Sequence, residues 1–274
     1  MKHLILVGAV YMDTILTVPH FPQEDSKLRA TNVQVRRGGN VGNTLEVLRQ
    51  FLATTPATED ARILAHLVAC LPDNRSRAAK EVLKSFGPDH VTEDDYHDVT
   101  AASEGRTKRQ ITRLVIDYAR CLFRVGHEQP ASSYILRSAE TGSRTIVNHN
   151  PLPEMMLDEF EGIVDDFVAR WPQDDSWWHF EGRIPETTLQ CIRYLRQKIP
   201  GCAVSVEVEK PGRDGLTELA AEADVVFYSR SWAQLTHVLY MGRRRRRCLR
   251  TRKWQICPPP SCSDYNERQQ HAGG

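Results

Sequence analysis

The sequence predicts an α/β domain built on a mainly parallel sheet with helices on both faces. Three observations carry this reading. Compact apolar runs recur along the chain, as buried parallel strands do. Helical patterns of about 10–15 residues separate them. Glycine and proline close the elements at the expected places. A chain of 274 residues is long enough for one large domain of this kind or two small ones.

The elements follow in order. Residues 4–7 are a short apolar run closed by Gly8, the look of a central strand. Val33-Gln34-Val35 alternates, and Gly38-Gly39-Asn40 opens a helical pattern through Leu48. Residues 63–71 suit a second buried strand, and residues 78–86 suit a helix that stops at Gly87-Pro88. Tyr134-Ile135-Leu136-Arg137 and Arg144-Thr145-Ile146-Val147, joined through Glu140-Thr141-Gly142-Ser143, read as a β-hairpin. Helices are predicted over 158–169 and 186–198, and strands over 177–180, 203–208 and 225–228. Two stretches fit no neighbouring pattern. Residues 100–120 turn from polar and basic to apolar. The tail from about residue 235 holds five consecutive arginines and three consecutive prolines, and reads as disordered.

Composition narrows the function classes. With 41% hydrophobic and 26% charged residues, the chain falls among ordinary soluble globular proteins. No run of 18 apolar residues occurs, so a membrane span is not expected. The apolar stretch at the N-terminus is too short for a secretory signal and reads as a strand. Seven scattered cysteines, none in a two-residue metal-knuckle spacing, suggest reduced thiols and a cytoplasmic setting. The net charge of +1 hides a split: residues 235–274 carry nine Lys/Arg against two acids, the rest 27 against 33. Such asymmetry can mark a nucleic-acid arm. No aromatic platform accompanies Arg243–Arg247, so nucleic acid is not the expected partner.

Several residues could carry chemistry. Asp13 follows the first strand, where open α/β sheets place ligands; it suits two sugar hydroxyls or a turn bonded to its own backbone. Gly38 and Gly39 allow close backbone approach to a ligand just before a helix N-terminus with free N–H groups. Asn40 and Asn43 stand three apart on the first helical turn. Their amides suit a neutral polyhydroxyl ligand, though a Gly-rich turn with an Asn cap reads equally well. No Gly-Lys-Ser/Thr follows, so this is not a Walker A loop. Arg144 could reach a phosphate or sugar oxygen from the hairpin, or be an ordinary exposed strand arginine. Glu207 and Glu209 share one strand face beside Lys210, as a magnesium–phosphate site or a solvated edge would.

In this order the pieces resemble the PfkB (ribokinase-like) carbohydrate kinases, ketohexokinases in particular. The matching stretches are Val7-Gly8 with Asp13, Arg37-Gly38-Gly39-Asn40 with Asn43, Gly142-Ser143-Arg144-Thr145, His179-Phe180-Glu181-Gly182-Arg183, Ser205-Val206-Glu207-Val208-Glu209-Lys210-Pro211 and Asp224-Val225-Val226-Phe227. The resemblance spans residues 4–234 and implies a ribokinase-like three-layer α/β/α fold with a small β-sheet lid, incomplete at the C-terminus. The lid would come from about 10–40 and 128–150. The resemblance also implies sugar held by Asp13, Gly38, Gly39, Asn40 and Asn43, with ATP and Mg2+ as cofactors. Arg144 would reach toward phosphate and Glu207 would help organise magnesium. The reaction implied is transfer of the ATP γ-phosphoryl group to fructose or a related ketohexose. A homodimer through the lid is the further partner it allows.

The family's second signature, Gly-Ala-Gly-Asp, occurs nowhere in the sequence. Its loop would cradle the transferring phosphoryl group and its aspartate would be the catalytic base. No catalytic residue and no metal ligand set is therefore assigned, and activity is expected to be impaired. The alternative is a non-catalytic sugar-binding or regulatory isoform. Tyr240-Met241-Gly242-Arg243, read one nucleotide later, gives Thr or Ile, then Trp, then a codon starting with G. That approaches the family's next strand, so a frame shift near residues 235–239 is expected, and residues 100–120 read as an intervening insertion.

Overall fold

The first apolar run becomes β1 (Lys2–Val7), paired in parallel with a strand 173 positions further on. In the computed structural model residues 2–54, 63–87, 90–91, 114–235, 249–250 and 254–257 are described. They divide into two units, Gly8–Met155 and Met1–Val7 with Met156–Gly274.

In the unit Gly8–Met155 a four-stranded sheet runs in the order β10 (Arg144–His149), β9 (Ser132–Ser138), β2 (Tyr11–Val18), β3 (Asn32–Gly38). β2 and β9 are parallel and the outer pairs antiparallel. The predicted hairpin is β9–β10, and Gly142 supplies its left-handed turn residue at φ 68°. The register puts Arg36, Asp13, Ser133 and Asn148 in one cross-strand row on one face. On the opposite face Val35, Thr14, Tyr134 and Val147 form another row, with Val33, Leu16 and Leu136 beside it. Val33, Val35, Tyr134 and Val147 are exposed there.

The same unit holds α1 (Asn40–Thr54), α2 (Arg77–Lys84) and the parallel strands β4 (Ile63–Val68), β7 (Leu114–Asp117) and β6 (His90–Val91). Ser76 caps α2, its hydroxyl accepting from the Ala79 N–H at 3.0 Å. The single strand expected over 63–71 is two strands. After Val68 the chain leaves β7, and β5 (Cys70–Pro72) pairs with β8 (Leu122–Arg124) instead. The joint is Ala69, whose carbonyl accepts from the Leu122 N–H at 2.9 Å. The unpatterned stretch is also narrower than the sequence suggests. Leu114–Asp117 pairs with β4, and Tyr118 and Arg120 are buried, so only 100–113 lies outside the described residues.

In the other unit β1, β11 (Asp175–Glu181), β12 (Ala203–Val208) and β13 (Val225–Ser229) are parallel neighbours in that order. The helices α3 (Leu157–Arg170) and α4 (Pro185–Lys198) pack together, followed by α5 (Leu216–Ala221) and α6 (Arg230–Leu235). Pro185 opens α4 with its φ preset, and Arg196 and Lys198 sit in the last turn, where cations favour the helix dipole. Alternation along β11 sends Ser176, Trp178 and Phe180 into the core, where Phe160 lies 5.8 Å from Trp178 and Phe167 5.4 Å, ring centre to ring centre.

Beyond β13 come β14 (Leu249–Arg250) and β15 (Trp254–Cys257), the latter antiparallel to Val226–Ser229. β14 and β15 together take up six residues of the tail. Among the described residues no helix is long and apolar enough to cross a membrane.

Candidate sugar cradle and cation site

Asp13 lies on β2, two residues past the strand's start, and is only 8% exposed. Gly38 ends β3 opposite Tyr11, and a Cβ added to Gly38 would fall on the Asp13 carboxyl group. Gly39 adopts φ 86°, and a Cβ there would fall on the Ala9 carbonyl oxygen. Both glycines are therefore required by close approach, one of a carboxylate and one of backbone. Directly after them α1 begins, with Asn40 and Asn43 on its first turn. Asn43 is exposed, and its N–H donates to the Gly39 carbonyl at 3.0 Å. The Thr44 hydroxyl donates to the Asn40 carbonyl at 2.9 Å.

The structure thus brings Asp13, Gly38, Gly39 and the first turn of α1 together. It adds two groups that the sequence reading gave no role. Arg36 Nε stands 4.0 Å from Asp13 Oδ2, and the buried Ser133 is Asp13's neighbour in register on β9. Strand alternation could have found Arg36, since it shares a face with Gln34, but only the register reveals that a carboxylate lies opposite. Arg144 is not part of this row. It pairs with Arg137 at the far end of β10, four positions from Asn148, or about 13 Å along the strand, and it is exposed.

Glu207 lies in the other unit, on β12, 5% exposed. Its Oε1 is 3.3 Å from His179 Nε2, while its Oε2 is buried without a hydrogen-bond partner among the described residues. His179 Nδ1 is 2.9 Å from the Ser205 hydroxyl, which also accepts from Trp177 Nε1 at 2.8 Å. The neighbouring Gly182 is needed because a Cβ there would strike the Glu207 carbonyl oxygen. One unsatisfied carboxylate oxygen suits Mg2+, a hard cation that takes one or two carboxylates and keeps its remaining ligands from water and phosphate. Among the described residues no group of three or more His, Cys, Asp or Glu side chains gathers as a protein cage would require.

Comparison with known proteins follows the same line. No family model matches the chain. Ketohexokinase of Mus musculus is 27% identical over 241 residues, 85% of this chain and 65% of that protein. A ribokinase of Giardia lamblia superposes with a TM-score of 0.55 at 13% identity, over 86% of this chain and 60% of its own. A ribokinase of Thermotoga maritima gives 0.51 at 15% identity, over 87% and 63%. The chain therefore has the ribokinase-like α/β fold, and it spans a little under two thirds of the relatives it matches. The likeness to ketohexokinase extends over most of this chain.

Proposed function

We propose that these 274 residues carry the sugar-binding part of an ATP-dependent sugar kinase, with fructose or a related ketohexose as ligand, and transfer phosphate poorly or not at all. The observation that carries this reading is the buried Asp13 carboxyl group seated over Gly38 beside the first turn of α1. A carboxylate held there accepts from two adjacent hydroxyls, and Asn40 and Asn43 offer both donors and acceptors. Arg36 Nε stands 4.0 Å from the Asp13 carboxylate and lines the same face. The four-stranded sheet is the lid of this reading, and 1–234 its partial kinase domain.

ATP with Mg2+ would supply the transferable phosphoryl group. Glu207 Oε2 would hold the ion through one oxygen, and Arg144 would be the residue offered to phosphate. No Gly-Ala-Gly-Asp string is present to accept the hydroxyl proton, so turnover is impaired in this form. The exposed row Val35, Tyr134 and Val147 on the sheet's outer face is the surface through which two copies would pair. A cytosolic setting fits the buried free thiols Cys121, Cys191 and Cys202. The test is fructose-dependent thermal stabilisation measured alongside ADP release. Stabilisation without turnover supports the reading, and no stabilisation by any ketohexose defeats it.

A further inference from the structure

Arg36 and Arg37 are adjacent in sequence and have opposite fates. Arg36 is exposed on the face of β3 that meets Asp13. Arg37 turns to the other face, where its side chain is 7% exposed. Its guanidinium centre stands 4.0 Å over the Phe86 ring. Nη2 donates to Glu46 Oε2 at 3.3 Å, and Nη1 to the Ser85 carbonyl at 3.4 Å. The stem crosses Gly42 so closely that a Cβ there would stand 3.3 Å from both Cδ and Nε. Nε is buried without a hydrogen-bond partner among the described residues. Burial lowers the basicity of Arg37, and Glu46 partly restores it.

We propose that Arg37 is a positioning residue for the sugar cradle. It fixes the end of β3 to the second turn of α1 and to the C-terminal end of α2, so that the turn Gly38–Asn43 keeps its shape over Asp13 before a ligand arrives. The inference rests on the sugar-binding reading of Asp13, Gly38, Asn40 and Asn43. The cost of the arrangement is the argument for it. Taking a guanidinium out of water with one N–H unpaired is unfavourable, and an apolar side chain would close the same space without that penalty. What an apolar residue cannot do is tie two other elements at once. Arginine's planar fork reaches Glu46 on α1 and Ser85 beyond α2 while its face stacks on Phe86. The anchors at 42, 46, 85 and 86 bracket residues 38–43 from the helix side, while Asp13 and Ala9 confine them from the other. Gly42 is then a glycine for the sake of the Arg37 stem.

The experiment compares the full chain with Arg37→Met, Arg37→Lys and a remote core variant, Ile192→Val, using fructose as probe. Fructose affinity is measured by calorimetry below the unfolding transition, and amide hydrogen exchange is followed at residues 38–43. Arg37→Met is expected to weaken fructose binding at least tenfold and to speed exchange at 38–43 selectively, with Arg37→Lys intermediate. Ile192→Val should lower the melting temperature and change neither readout. Arg37→Met that lowers the melting temperature but leaves affinity and local exchange like those of Ile192→Val overturns the proposal. Should the unmutated chain give no heat with fructose, the sugar reading fails, and exchange at 38–43 still decides the role of Arg37. If Arg37→Met does not fold, Arg37→Lys and Glu46→Gln supply the same comparison.

Discussion

The carboxyl group of Asp13 occupies the space that a side chain at position 38 would need. Gly38 closes β3 opposite Tyr11, so carboxylate and glycine face one another across a single pair of strands. Gly38→Ala should therefore destabilise by about 1–3 kcal/mol through overpacking. The double variant Asp13→Ala/Gly38→Ala should lose less than the sum of the two single changes, because the methyl group then has room. Urea unfolding of the three variants measures this, and strict additivity would show that the two positions do not compete.

Acid stability should depend on Asp117. Burial alone would raise its pKa, but hydrogen bonding to His66 Nδ1 at 2.8 Å and from the Ala119 N–H at 2.8 Å outweighs that, with Arg120 at 2.6 Å. The folded pKa lies below the ordinary 3.8. The folded state thus binds fewer protons than the unfolded chain in that range. Its contribution is complete above the unfolded pKa and disappears as pH falls through the folded one. Asp117→Asn should flatten the acid limb of a stability-against-pH curve below about pH 4. An unchanged slope would remove Asp117 from the account.

Glu207 should behave as a half-paired buried charge awaiting a cation. Glu207→Gln keeps the shape and removes the charge, so stability should hold or rise by about 1 kcal/mol. Added Mg2+ should raise the melting temperature of the unmutated chain and leave Glu207→Gln unmoved. Equal responses of the two proteins would place the ion elsewhere.

The outer face of the four-stranded sheet should mediate self-association. Val35→Asp, placed beside Thr14 in the row that continues to Tyr134 and Val147, adds a charge to an exposed apolar surface at little folding cost. Light scattering should show a dimer for the unmutated chain and a monomer for the variant. A monomer in both would leave that face without a partner.

Much of the frame was legible because strand and helix periods differ. Ala203–Val208 was readable from its apolar run although it is buried on both faces, and the β9–β10 hairpin is announced by its glycine turn. The strand β2 escaped because the buried Asp13 interrupts its apolar alternation, a polar residue held inside by its site. β7 is four residues long and α5 six, too short for a period to declare itself. In the site, Gly38 and Gly39 were readable as points of close approach. The roles of Arg36 and Arg37 were not, because one depends on a carboxylate brought opposite by strand pairing and the other on Phe86, 49 positions away.

Titration of fructose into the full chain with ATP and Mg2+ present, following thermal unfolding and ADP release in the same samples, tests the central claim most directly. At a hundredfold excess over Kd the account predicts stabilisation of about 2.7 kcal/mol, abolished in Asp13→Ala, with ADP release at background. No stabilisation, or ADP release at an ordinary kinase rate of about 1–100 s⁻¹, would contradict it.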